Sequence, residues 1–107
     1  MQKTPFDATL YIALSDEEIT GKLKDLPEWK RDDKAIVRVE TFSNYLDALK
    51  YINRVGFASE ENNHHPDIIM NFKRVEVRYW THKARGITDL DFKMARKIED
   101  ILATFSR

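Results

Sequence analysis

The 107-residue chain has no cysteine, only three glycines and three prolines, and no excess charge of either sign. The missing cysteines exclude disulfides, thiolate nucleophiles and every cysteine-based zinc or iron-sulfur site. Eighteen Lys and Arg against eighteen Asp and Glu remove the basic surplus of a nucleic-acid binder and the acidic surplus of a disordered tail. No apolar run approaches the ~18 residues of a membrane span. Met1 to Leu10 lacks the basic stretch followed by an apolar run that marks a signal peptide. The expectation is one domain over residues 1–107, cytoplasmic, with neither a membrane nor a direct nucleic-acid partner. Histidine is scarce as well: His64, His65 and His82 are the three in the chain.

Residues 1–14 show no clear period and fit a short strand or an extended lead. Ser15-x-x-Glu18 is a capping box, with Leu14 and Ile19 at the spacing of a hydrophobic staple. The helix it opens carries Ile19, Leu23 and Leu26 on one side and is expected to run to Pro27. Trp29 to Thr41 reads as two strands around a turn at Arg31-Asp32-Asp33-Lys34. The second strand alternates only partly, so its core-facing side stays open. Ser43 is the expected cap of a second helix, whose Tyr45, Ala48, Leu49, Ile52 and Val55 follow the 3.6-residue period. Gly56 costs that helix about 1 kcal/mol relative to Ala, yet the pattern continues to the Asn62-Asn63 break. Ile68 to Phe72 and Val75 to Trp80 are the clearest strands, with Val75, Val77 and Tyr79 on one face. Thr88-x-x-Asp91 is a second capping box, flanked by Ile87 and Phe92 as a staple, and Met94, Ile98, Ile101, Leu102 and Phe105 stripe the last helix. This order, α-β-β-α-β-β-α, predicts an α+β sandwich: a four-stranded antiparallel sheet with the helices on one face and the other face open.

Asn63-His64-His65-Pro66-Asp67 lies between a helix end and a strand, and His82 follows the next strand. A hairpin turning at Lys73-Arg74 pairs Phe72 with Val75 and Ile68 with Tyr79. That pairing brings His64 or His65 within one or two strand spacings of ~4.8 Å from His82. Three readings fit such a cluster. The histidines can be exposed loop residues. They can form a three-imidazole zinc site, although Pro66 holds His65 extended and splays the adjacent rings apart. Or they can serve as metal-free acid and base, since imidazole titrates near neutrality.

Glu60-x-x-Asn63-His64-His65-Pro66, then a strand, then Thr81-His82, Gly86-Ile87-Thr88 and Asp91 resembles the pterin-4a-carbinolamine dehydratase family. The resemblance runs from Leu26-Pro27-x-Trp29 through the last helix. It implies the sandwich already derived and a hydro-lyase that removes water from a 4a-hydroxytetrahydropterin, giving the quinonoid dihydropterin that tetrahydrobiopterin recycling requires. It also implies neither metal nor organic cofactor. By position, His64 and His82 become the acid-base pair, and His65 both belongs to the catalytic set and binds the pterin. Glu60, Pro66, Thr81 and Asp91 become substrate-binding positions. Helix capping by itself accounts for Asp91, solvation for Glu60 and sheet packing for Trp29, while Trp80 fits either a pocket rim or a subunit contact.

Three positions depart from the family pattern: Arg85 before Gly86 in place of a glycine pair, Glu40 in place of an apolar or aromatic residue, and Asn71 in place of an apolar one. The resemblance further implies a homodimer or homotetramer. Its alternative is a binding or dimerisation module of the same fold that engages a helical segment of a transcription factor, with catalysis secondary.

Overall fold

The computed structural model describes residues 11–105; the unread lead at residues 1–10 lies outside them. The elements run α1 (Asp16–Leu23), β1 (Trp29–Asp32), β2 (Ala35–Thr41), α2 (Tyr45–Glu61), β3 (Asp67–Asn71), β4 (Arg74–Tyr79) and α3 (Asp89–Leu102), with a one-turn 3-10 helix at His82–Ala84. The strands form one antiparallel sheet in the order β1-β2-β4-β3. Its inner face presents Ile36, Val75, Val77 and Tyr79 to Tyr51 and Val55 of α2 and Phe92 and Ile98 of α3. The α+β sandwich is therefore the fold. No helix among the described residues is long and apolar enough to cross a membrane.

Both capping boxes form. Ser15 Oγ accepts from Glu18 N while Glu18 Oε1 accepts from Ser15 N, and Thr88 and Asp91 exchange the equivalent bonds. Three sequence-based boundaries need correction. The first helix ends at Leu23, and Leu26 is buried by the turns that follow. Asn44, not Ser43, caps α2, its Oδ1 accepting from Asp47 N. The β3–β4 turn is Phe72-Lys73, so Ile68 pairs with Val77 rather than Tyr79. Phe72 adopts φ 52° there, the left-handed backbone of a two-residue hairpin turn. The shift conserves facing, because the pairing moves by two residues along β4, one full period of the pleat.

The undecided face of β2 is settled by Ile36 and Arg38, both buried. Arg38 is 4% exposed inside the helix–sheet layer, where a lone guanidinium would be costly. It donates from Nε to Glu99 Oε2 (2.9 Å) and from Nη1 to Glu40 Oε2 (2.8 Å) and the Val39 carbonyl (2.9 Å). Trp29 Nε1 donates to the same Glu99 oxygen at 2.9 Å. Glu40, the apolar-to-acidic departure, is thus a partner of a buried cation. The other departure, Arg85, takes φ 54° as it closes the turn after His82–Ala84, which explains why glycine suits that position. Gly86 beside it has a different reason: a Cβ there would come within 3.2 Å of Ala13 Cβ.

Three outcomes follow. Glu99→Ala removes an acceptor shared by Arg38 and Trp29 and is expected to lower unfolding free energy by about 3 kcal/mol in urea denaturation, the low end for breaking a buried pair. Arg85→Gly relieves the left-handed strain and is expected to raise stability by roughly 0.5–1 kcal/mol. Burial pushes the Tyr79 hydroxyl from its ordinary 10.0 up to about 12. Because the unfolded chain releases that proton first, stability present below pH 10 is lost as pH rises through 10 towards 12. Denaturation curves across that window should be steeper in pH for the wild type than for Tyr79→Phe.

Candidate active site

The histidines are brought together by three short stretches of irregular backbone at one end of the sheet. The first is the exit from α2. The chain leaves the helix at Asn62, Asn63 turns it with φ 49°, and His64 N donates back to the Ser59 carbonyl at 3.0 Å. The second is the end of β4, where Thr81 bridges to Gly86 and the 3-10 turn carries His82. The third is the start of α3 at Thr88. Between them lies a cleft of about 270 Å³ lined by Tyr11, Asn63, His64, His65, Trp80, Thr81, His82, Lys83 and Leu90.

Each imidazole is held differently. His64, with 12% of its side chain exposed, places Nε2 2.6 Å from Asp91 Oδ1, and its ring stacks on Tyr79 with centroids 5.6 Å apart. Tyr79 is in turn fixed by a 2.5 Å bond between its hydroxyl and Ser59 Oγ, which also donates to the Val55 carbonyl. His65 is 57% exposed at its side chain and sets Nε2 2.8 Å from Glu60 Oε1. His82 stacks on Trp80 at 3.8 Å between centroids and 25° between planes.

Asp91 organises this end of the molecule. Its carboxylate is fully buried, a placement that costs several kcal/mol unless every lone pair finds a donor. Oδ2 accepts from Thr88 N and Thr81 Oγ1, both at 2.9 Å, leaving Oδ1 for His64. Thr81 Oγ1 spends its proton on Asp91, so the 2.7 Å contact between the two threonine hydroxyls is a donation from Thr88. Thr88 Oγ1 itself accepts from Leu90 N at 3.2 Å. A directed chain of donors therefore ends on the carboxylate, each bond polarising the next. With Asp91 acting as acceptor, His64 carries its proton on Nε2, and Nδ1 is the nitrogen outside that bond.

Of the sequence-predicted residues, His64, His65, His82 and Thr81 line the cleft. Asp91 does not: its buried carboxylate sits behind two of the lining residues, bonded to His64 through one oxygen and to Thr81 through the other. Glu60 lies on the far side of His65, beside a shallow apolar groove with Ile52, Gly56, Phe57 and Ile68, and Pro66 is absent from the lining. Tyr11, Lys83 and Leu90 were not foreseen. Tyr11 falls in the stretch without a readable period, and Leu90 is hidden inside a capping box. Trp80, left between two roles by the sequence, belongs to the cleft. Among the described residues no group of three His, Asp or Glu side chains is placed to hold a metal ion.

The chain matches the family model described as Pterin 4 alpha carbinolamine dehydratase over residues 12–101. Relatives carrying a pterin-4-alpha-carbinolamine dehydratase name include a Thermomicrobium roseum protein, 40% identical over 88 residues, with 82% of this chain and 95% of the relative covered. One from Afipia carboxidovorans is 42% identical over 94 residues, covering 86% and 94%. The crystal structure of a transcriptional coactivator/pterin dehydratase from Brucella melitensis superposes with a TM-score of 0.79 at 33% identity, over 83% of this chain and 97% of that one. A pterin dehydratase-like protein, a RuBisCO assembly factor of the alpha-carboxysome, shares the fold alone, with a TM-score of 0.57 at 18% identity over 73% and 89% of the chains. The histidine motif, the sandwich that assembles it and these matches agree: the chain belongs to the pterin-4a-carbinolamine dehydratase family, whose members are named as hydro-lyases.

Proposed function

We propose that this protein dehydrates a 4a-hydroxytetrahydropterin to the quinonoid dihydropterin, the step that tetrahydrobiopterin recycling needs, by histidine acid-base catalysis without a metal. One observation carries the proposal: three imidazoles from two distant segments of the chain meet in a single cleft, one of them braced by a buried carboxylate. Loss of water from C4a needs a proton on the departing oxygen, because hydroxide leaves poorly. It also needs removal of the N5 proton, so that the electron pair left on nitrogen forms the C4a–N5 double bond as the C–O bond breaks. His64 and His82 form the pair, one imidazolium giving a proton to the oxygen and one neutral imidazole taking the N5 proton. Such transfers contribute ~100- to 10,000-fold each. Asp91 holds the His64 ring by its Nε2–H, and the carboxylate stabilises that ring whenever it is cationic. A flat, largely uncharged bicycle suits a cleft walled by Tyr11 and Leu90. In this reading His65, more exposed and tied to Glu60, holds the substrate's edge.

Self-association also belongs to the proposal, as a homodimer or homotetramer. Leu46 and Phe57 on α2 and Val39 and Ile69 on the open sheet face are exposed apolar side chains, an arrangement that favours contact between copies.

Turnover of 4a-hydroxytetrahydropterin, followed optically with chelator present, is expected to fall at least ~100-fold in His64→Ala and in His82→Ala while circular dichroism stays unchanged. Wild-type rates in the double variant would end the acid-base assignment. His65→Ala should raise KM more than it lowers kcat; a pure kcat defect would instead put His65 in the proton-transfer step.

A further inference from the structure

His64 and His65 are each steered by a carboxylate, but His82 is not. Its ring nitrogens make no hydrogen bond or ion pair among the described residues, and it is exposed on a 3-10 helix of only three residues. A side chain so placed has rotamer freedom to lose, and ordering it carries an entropic cost. What confines the ring is the indole of Trp80, parallel to it within 25° at a centroid distance of 3.8 Å. Trp80 follows directly on β4 and is half-buried, so its backbone is anchored by the sheet while His82 is exposed on the turn. The indole is itself held from the tip of the β1–β2 hairpin, where Lys34 Nζ lies 4.3 Å from the ring centroid, an attractive cation–π contact.

We propose that Trp80 is a positioning residue for His82, its indole plate, steadied by Lys34, fixing the imidazole at the cleft so that both ring nitrogens stay available to substrate. A carboxylate partner would occupy one nitrogen, as Asp91 and Glu60 do for the other two histidines. A stacked ring orients the imidazole through its face and leaves its whole edge for proton transfer. The consequence for turnover rests on the dehydratase function proposed above; the held geometry of the ring does not.

The test joins a measurement without substrate to one with it. The His82 ring protons are assigned in the NMR spectrum of the full chain by their loss in His82→Ala, which is tractable with three histidines. Stacked on an indole, they should resonate upfield of free histidine. In Trp80→Leu, which keeps bulk but removes the aromatic face, they should move to free-histidine positions; in Trp80→Phe the upfield shift should survive in part. Kinetically, Trp80→Leu should lower kcat about tenfold, short of the ~100-fold loss expected of His82→Ala, with KM changed less than about twofold. Trp80→Phe should recover most of that rate. Unmoved His82 resonances in folded Trp80→Leu would overturn the proposal whatever the activity. So would a rise in KM with kcat intact, which would make Trp80 a wall for the substrate. If the ring shifts respond as expected but neither wild type nor variant dehydrates the pterin, the positioning stands and the dehydratase function fails.

Discussion

A single buried carboxylate holds the functional end of this protein together. Asp91 has no lysine or arginine among its recorded partners; its charge is met by an imidazole N–H, a threonine hydroxyl and the backbone N–H of Thr88, with the positive end of the α3 dipole behind it. Each donor comes from a different segment: the α2–β3 connection, the end of β4 and the α3 N-terminus. Because an unsatisfied buried carboxylate is so costly, the arrangement is close to all-or-none. Moving any one segment leaves the charge short of a donor, so the site is part of the fold rather than an addition to its surface.

The three histidines divide between rigidity and access. His64 is the most enclosed, bonded to Asp91 and backed by Tyr79, whose own hydroxyl is tied to Ser59 of α2. His65 and His82 stand at the rim, one held through a nitrogen by an exposed carboxylate and the other through its face by an indole. A reaction that moves two protons while a flat substrate enters and leaves suits such a gradient. The enclosed ring keeps its geometry between turnovers, and the rim rings admit solvent and substrate.

Much of this was legible in the sequence, and the limits are physical. Periodicity, capping boxes and turn signals revealed the three helices and four strands but not the one-turn 3-10 helix at His82–Ala84, because burial on one face is what creates those patterns and a single exposed turn has none. Convergence of His64, His65 and His82 followed from treating Ile68 to Trp80 as a hairpin, and it tolerated a turn misplaced by one residue because that error shifted the pairing by two and kept the faces. Asp91 was visible as the last residue of a capping box and, through the family resemblance, as a substrate-binding position, but not as the partner of His64. A capping box describes one oxygen and one backbone N–H; where the second oxygen points is decided by a loop 27 residues earlier in the chain. Arg38 was illegible for the opposite reason. Its burial breaks the alternation that would announce a core position, and it is tolerable only through the Val39 carbonyl, Glu40 and Glu99, the last of them 61 residues away.

Arg38 and Asp91 together explain why α3 sits still. Glu99 is eight residues beyond Asp91, about 12 Å along the helix at 1.5 Å per residue. Apolar packing through Phe92, Met94, Ala95 and Ile98 secures the helix against the sheet, yet such packing is non-directional and opposes sliding or rotation weakly. Charged hydrogen bonds are directional. With Asp91 fastened to Thr81 at one end and Glu99 to Arg38 and Trp29 at the other, a rotation of α3 breaks bonds at both ends. The buried ion cluster beneath the sheet's inner face is not part of the cleft lining. By fixing the rotation of the helix that carries Asp91, it also fixes the direction in which His64 presents its free nitrogen.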